Sequence, residues 1–256
     1  MQYGMRLGLT GGIASGKSLV SGMLKNLGAE IIDVDMIARE LVTPGSPALV
    51  EIEREFGADV ILPAGTLDRR RLGDLVFTDP GALARLDAIM FPRMFAEVAS
   101  RLGAFRFSRP RREGQSPAPI SSRTPSSSQV PAPSQTPSGA GGDAEVVVPP
   151  GMIVVDAAIL YEAGMDALVD RVIVVWADDE TRIKRLMERN GLSRSDAAAR
   201  VAAQVPLVEK VRRADFVIDN SGSVANTERQ VRRLWGELVS WLAGPALRNN
   251  CGGARI

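Results

Sequence analysis

The sequence contains no histidine. That absence removes every mechanism built on imidazole, including Ser-His-Asp acyl transfer and His-ligated metal centres. A general base must then be a carboxylate, lysine, tyrosine or cysteine. Cysteine is nearly absent as well: its one copy, Cys251, excludes an intramolecular disulfide. An excess of charge of one sign is also lacking. The 31 basic residues face 30 acidic ones, for a formal net charge of +1, so nothing global points to nucleic acid or another polyanion. No apolar run reaches the roughly 20 residues needed to cross a bilayer, and no signal-peptide h-region opens the chain. These absences lead us to expect a cytoplasmic protein with no nucleic-acid and no membrane partner. What remains is an ordinary globular composition. With 256 residues, 45% of them hydrophobic and 24% charged, the chain is long enough to build a buried core in one or two domains.

The most informative stretch is Gly11-Gly12-Ile13-Ala14-Ser15-Gly16-Lys17-Ser18, followed by Leu19. It fits G-x-x-x-x-G-K-[ST], the phosphate-binding P-loop. Its surroundings fit too. Met5-Arg6-Leu7-Gly8-Leu9-Thr10 reads as a short buried strand, and Leu19, Val20, Met23, Leu24 and Leu27 recur at helical spacing. Glycines let the backbone wrap closely around an anion. The N–H groups then converge at a helix N-terminus, where the dipole favours negative charge. In this pattern Lys17 reaches the β- and γ-phosphates and the Ser18 hydroxyl ligates Mg²⁺.

Further strands follow near 29–33, 152–156, 171–176 and 216–218. With the first, near 5–10, they alternate with helical segments and predict a five-stranded parallel sheet covered by helices, a P-loop NTPase fold of the α/β class. Two of these strands end in acids. Ala29-Glu30-Ile31-Ile32-Asp33 leads into Val34-Asp35, and Met152-Ile153-Val154-Val155-Asp156 is an apolar run ending in a carboxylate. Acids at the carboxyl ends of parallel strands are placed where ligands bind. Asp33 or Asp35 equally suits the N-cap of the helix that follows. Asp156 is the type of carboxylate that approaches Mg²⁺. Glu180 to Asn190 and Ser193 to Gln204 read as two short basic helices joined by Gly191-Leu192, a helical lid at about 190–205. No N-K-x-D occurs, which argues against a guanine-reading GTPase, and the small size favours a small-molecule kinase.

The core is thus expected over 1–45 and 150–243, with a helical acceptor-binding insert over 46–103. The insert carries Arg69-Arg70-Arg71, which is either a solvated helix face or a phosphate-recognising one. Between 104 and 149 the composition changes. Nine of the 16 prolines fall between Pro110 and Pro150, among Ser, Gly and Gln. Such a stretch cannot bury enough apolar surface to offset its chain entropy, and we expect a disordered Pro/Ser-rich insertion. It is either a tolerated loop or a partner-recruiting segment, the latter leaving open a nucleotide-binding scaffold as an alternative to an enzyme. A flexible tail is expected over 244–256.

Several of these segments together resemble the dephospho-CoA kinase family. They are Leu9 to Ser18, Ile32-Asp33-Val34-Asp35 with Ala38-Arg39, Thr43-Pro44-Gly45, Arg200-Val201-Ala202-Ala203-Gln204 and Ala214-Asp215-Phe216-Val217-Ile218-Asp219-Asn220. The resemblance implies transfer of the γ-phosphoryl of ATP, with Mg²⁺, to the ribose 3′-hydroxyl of dephospho-CoA, the last step of coenzyme A synthesis. It makes Asp35 the base and has Lys17 and Arg200 stabilise the transferring charge. Asp33, Arg39, Pro44 and Arg69 fall to the acceptor, Ser18 and Asp156 to the metal, and Gly11 to Leu19 to the nucleotide. A monomer or weak homo-oligomer is expected. The chain departs from the family pattern at Phe91-Pro92, where His-Pro is usual, and at Ala158, where the family has proline. Another P-loop metabolite kinase is the nearest alternative.

Overall fold

The computed structural model describes residues 4–105 and 151–242. The expected C-terminal tail and the expected Pro/Ser-rich insertion beyond Phe105 lie outside them, and Ala104, expected in that insertion, ends a helix instead. Five parallel strands form one sheet: β1 (Gly4–Gly11), β2 (Glu30–Asp33), β3 (Gly151–Asp156), β4 (Arg171–Trp176) and β5 (Phe216–Asp219). Their spatial order is β2-β3-β1-β4-β5. The chain therefore leaves the central strand β1 to one side for β2 and β3, and to the other for β4 and β5. A reversal of this kind opens a crevice at the strands' carboxyl ends, which is where the glycine loop emerges from β1.

The strands are buried on both sides, as expected of a parallel sheet. Their period-two alternation divides the interior into two layers. Leu7, Leu9, Met152, Val154, Ile173 and Val175 point to one face, where they meet α1 (Lys17–Asn26) and α9 (Val224–Leu242) through Val20, Leu24, Leu234, Trp235 and Leu238. Ile153, Val155, Val172 and Val174 point to the other. There they meet α2 (Val34–Glu40), α3 (Pro47–Phe56), α4 (Arg69–Thr78) and α5 (Pro80–Ala104). The second layer is the predicted helical insert joined to α2, and it packs as one cluster through Ile37, Leu49, Ile52, Leu72, Ile89 and Met94.

The helix boundaries follow local chemistry. Asp33, Ser46, Asp68 and Asp79 each accept a backbone N–H in the first turn of α2, α3, α4 and α5, with proline at the first position of α3 and α5. Past the sheet's centre come α6 (Asp179–Asn190), α7 (Arg194–Ala202) and α8 (Leu207–Arg213). Asp178 and Ser193 cap the first two, and Gly191 closes α6 in the left-handed region at φ 65°.

α5 continues through Pro92, in keeping with the helical reading of 46–103, although proline removes one ladder hydrogen bond. Another feature differs from the sequence reading. α8 has no counterpart in the reading, because two turns burying only Leu207 and Lys210 are too short to show a period. No helix among the described residues is long and apolar enough to cross a membrane.

The layer formed by α1 and α9 supplies a direct check. Leu238 is fully buried, so Leu238→Ala should cost about 2–5 kcal/mol of unfolding free energy. Glu237→Ala, on the solvent side of the same turn with only an exposed ion pair to Arg233, should leave the denaturation midpoint nearly unchanged. Urea unfolding followed by far-UV circular dichroism measures both.

Candidate active site

The loop between β1 and α1 is built to present N–H groups inward. Gly11 sits where a Cβ would lie 2.5 Å from Ser15 Oγ and 2.8 Å from the Val175 carbonyl oxygen, so only glycine fits. Ser15 N–H donates to the Gly12 carbonyl at 3.1 Å and closes a tight turn. Ala14 takes φ 58° and Gly16 φ 91°, and Gly16 also serves as the N-cap residue of α1. A Cβ at Gly16 would collide with Asn220 Nδ2. Beyond Gly16, the first turn of α1 has backbone donors with no intrahelical acceptors, and these make a ready anion site.

Carboxylates gather at the same edge. Asp156 ends β3 beside β1, is 6% exposed, and forms an ion pair with Lys17 Nζ. Asp33 ends β2 in register with Asp156, and its Oδ1 accepts the Met36 N–H at 3.1 Å. The capping role is therefore real for Asp33. Asp35, in the first turn of α2, is exposed and has no hydrogen-bonded partner among the described residues, so its carboxylate is available to a ligand. Ser18 is exposed in the first turn of α1.

The lid helices rest on the loop. Ile183, Leu186, Ala197 and Val201 form a small core against which Ile13 and Ala14 pack. Gln204 Oε1 accepts the Ile13 N–H at 2.7 Å. Arg182 is 4% exposed, ion-paired to Asp179, and lies over Gly12. Arg185 donates to the carbonyls of Ala14 and Ser15 at 3.3 Å and of Asn220 at 2.7 Å. The hydrogen bond from the Thr181 N–H holds the Asp178 carboxyl below its usual range, and the one from Arg194 does the same for Glu180. A carboxyl whose pKa is lowered on folding stabilises above its unfolded pKa. The capping of α6 and the exposed Glu180–Arg194 link therefore each weaken as pH falls through the acidic range.

Lys17, Ser18, Asp156, Asp33 and Asp35 thus share one edge of the sheet. Arg39, Pro44 and Arg69 lie on the helical insert side, at the end of α2, in the turn after it, and at the start of α4, all exposed. Arg200 is in the last turn of α7, exposed and without an ion pair among the described residues. The sequence reading placed Arg182 and Arg185 on a basic lid helix and Gln204 and Asn220 in segments that resemble the family, but assigned none of them to the phosphate loop. Their contacts to the loop span 170 to 205 residues where hydrogen bonds are made, a separation at which no local pattern operates.

Gly16 gives a sharp test of the loop. Alanine there meets both the left-handed backbone penalty and the buried Asn220 amide. Gly16→Ala should weaken ATP binding at least tenfold, roughly the effect of that ~1–2 kcal/mol penalty alone. Titration calorimetry reads it, and an unchanged affinity would contradict this geometry.

Comparison with known proteins agrees with the fold and the site. The family model described as dephospho-CoA kinase matches residues 5–109 and 145–226. The chain is 43% identical over 229 residues to the dephospho-CoA kinase of Symbiobacterium thermophilum, covering 90% of this chain and 79% of that protein. It is 40% identical over 235 residues to that of Anaeromyxobacter dehalogenans, covering 91% of each. The crystal structure of TT1252 from Thermus thermophilus superposes with a TM-score of 0.64 at 28% identity, covering 91% of this chain and 97% of that one. With a P-loop after β1, carboxylates at the ends of β2 and β3 and a family match across both halves of the sheet, the chain belongs to the dephospho-CoA kinase family.

Proposed function

We propose that the chain moves the γ-phosphoryl group of ATP onto the ribose 3′-hydroxyl of dephospho-CoA, with Asp35 as the base. The observation that carries this reading is the exposed Asp35 carboxylate, unpaired among the described residues, two positions beyond Asp33, which is in register with Asp156 of the Lys17–Asp156 pair. Lys17 exchanges Asp156 for the β- and γ-phosphates when the triphosphate enters. The loop N–H groups hold the donor in place. Asp35 takes the proton of the 3′-hydroxyl as its oxygen bonds to the γ-phosphorus. The bond from that phosphorus to the β-γ bridging oxygen breaks, ADP leaves, and Asp35 returns its proton to solvent. Lys17 and Arg200 neutralise charge on the transferring group. Positioning and electrostatics of this kind do most of the work in phosphoryl transfer.

The donor set fits a magnesium ion. The Ser18 hydroxyl and the Asp156 carboxylate, the latter released as Lys17 turns to phosphate, are hard oxygen ligands that leave room for phosphate oxygens and water. Bound there, Mg²⁺ neutralises charge on the β- and γ-phosphate oxygens. On the acceptor side, Asp33, Arg39, Pro44 and Arg69 form the binding surface. Arg69, Arg70 and Arg71 make no ion pair among the described residues, whereas Arg85, Arg93 and Arg101 of α5 all do. Free guanidinium groups suit the pyrophosphate of this acceptor. We place the activity in the cytoplasm, where ATP is supplied.

Asp35→Asn should lower kcat by about 10²–10⁴-fold while ATP affinity stays near that of the parent chain. Chelation of divalent ions should stop turnover. An Asp35→Asn protein with undiminished kcat would assign the base elsewhere.

A further inference from the structure

The peptide linking Ser15 to Gly16 joins the phosphate loop to the start of α1. In a planar trans peptide the C=O and N–H point in opposite directions. Turning the Ser15 carbonyl out of the loop therefore aims the Gly16 N–H into it. Two donors hold that carbonyl outward: Asn220 Nδ2 at 2.7 Å and Arg185 Nη1 at 3.3 Å. Asn220 is itself fixed at every polar atom. Its Oδ1 accepts the Thr227 hydroxyl at 2.8 Å, its N–H donates to the Trp176 carbonyl at 2.8 Å, and its carbonyl accepts Arg185 Nη2 at 2.7 Å. Asn220 is 2% exposed and Thr227 fully buried.

We infer that Asn220 and Thr227 are positioning residues for the phosphate donor: a buried amide–hydroxyl pair that sets the orientation of the Ser15–Gly16 peptide. The inference rests on the reading that this loop holds the donor. A buried amide is costly unless its partners are present, and here each end has one. The Thr227 hydroxyl has a single proton. It lies 2.8 Å from Asn220 Oδ1 and 3.4 Å from the Ser223 carbonyl, so the shorter bond takes it. The Ser15 carbonyl can only accept, so it takes the amide's Nδ2 end, and the Thr227 hydroxyl holds that orientation by donating to Oδ1. Without the hydroxyl, Oδ1 is buried with no donor and the amide is no longer fixed. The pair sits behind the loop, out of reach of the acceptor helices, so its effect falls on the donor alone. Arg185 adds a second tie from the lid helix to the same carbonyl and to Asn220, so lid and loop share one anchor.

The test measures ATP affinity by titration calorimetry without acceptor, together with KM for each substrate. Because the first readout needs no acceptor, it stands even if the acceptor reading fails. Thr227→Val should weaken ATP binding roughly tenfold, the order expected when a buried acceptor loses its donor, with KM for dephospho-CoA unchanged. Thr227→Ser should restore ATP affinity. Asn220→Asp keeps the size and reverses the donor, and should match or exceed the loss in Thr227→Val. The Asn220→Asp/Thr227→Val double variant should lose no more than Asn220→Asp alone. ATP affinity unaffected in Thr227→Val and Asn220→Asp, or KM values for both substrates rising in parallel, would overturn the assignment.

Discussion

An ammonium and a carboxylate, both largely removed from water, face each other at the floor of the phosphate loop. The Lys17–Asp156 pair explains much of the architecture around it. A buried charge needs a partner, and here each group is delivered by a separate element. β1 and its glycine loop bring Lys17 to the first turn of α1. β3, apolar along its length, lies against β1 and ends on Asp156. The central position of β1 lets α1 start beside the tip of β3, and the register between β2 and β3 sets Asp33 next to Asp156. The pair sets a cation and a carboxylate side by side where the loop meets β3.

In the proposed reaction the sheet stands between the surfaces assigned to the two substrates. One face, covered by α1 and α9, carries the loop and its rear support at Asn220. The other, covered by α2 to α5, carries the arginines suited to a pyrophosphate acceptor. The strand ends are the one place where the layers meet, and Asp35 stands there at the start of α2. The lid helices α6 and α7 approach from the third side, with Ile13 and Ala14 packed into their small core. Lid position is therefore coupled to loop conformation through both apolar contact and Arg185.

Much of this could be read in the residues. The strands were legible because a parallel sheet buries both faces, which leaves short β-branched runs such as Ile153-Val154-Val155 and Val172-Ile173-Val174-Val175. The loop was legible because phosphate binding constrains neighbouring residues. Gly191 marked a helix end because its backbone requires positive φ. The rear support of the loop was not legible. Asn220 closes a segment that resembles the family, but nothing in that segment points to its partner at Ser15, 205 residues away. Arg182 and Arg185 are two basic residues among several on α6, and only folding selects the pair that meets the loop. α8 escaped because its seven residues bury just two side chains. The acceptor's identity was carried by resemblance and then by the family match, since arginines alone name a phosphate and not its owner.

The central claim is that one sheet edge joins a triphosphate donor to a ribose hydroxyl. Phosphorus NMR of the full chain with MgATP and dephospho-CoA tests it directly. A new ribose 3′-phosphate monoester signal growing in step with ADP is the expected result. ADP accumulating with inorganic phosphate, and no new monoester, would contradict it.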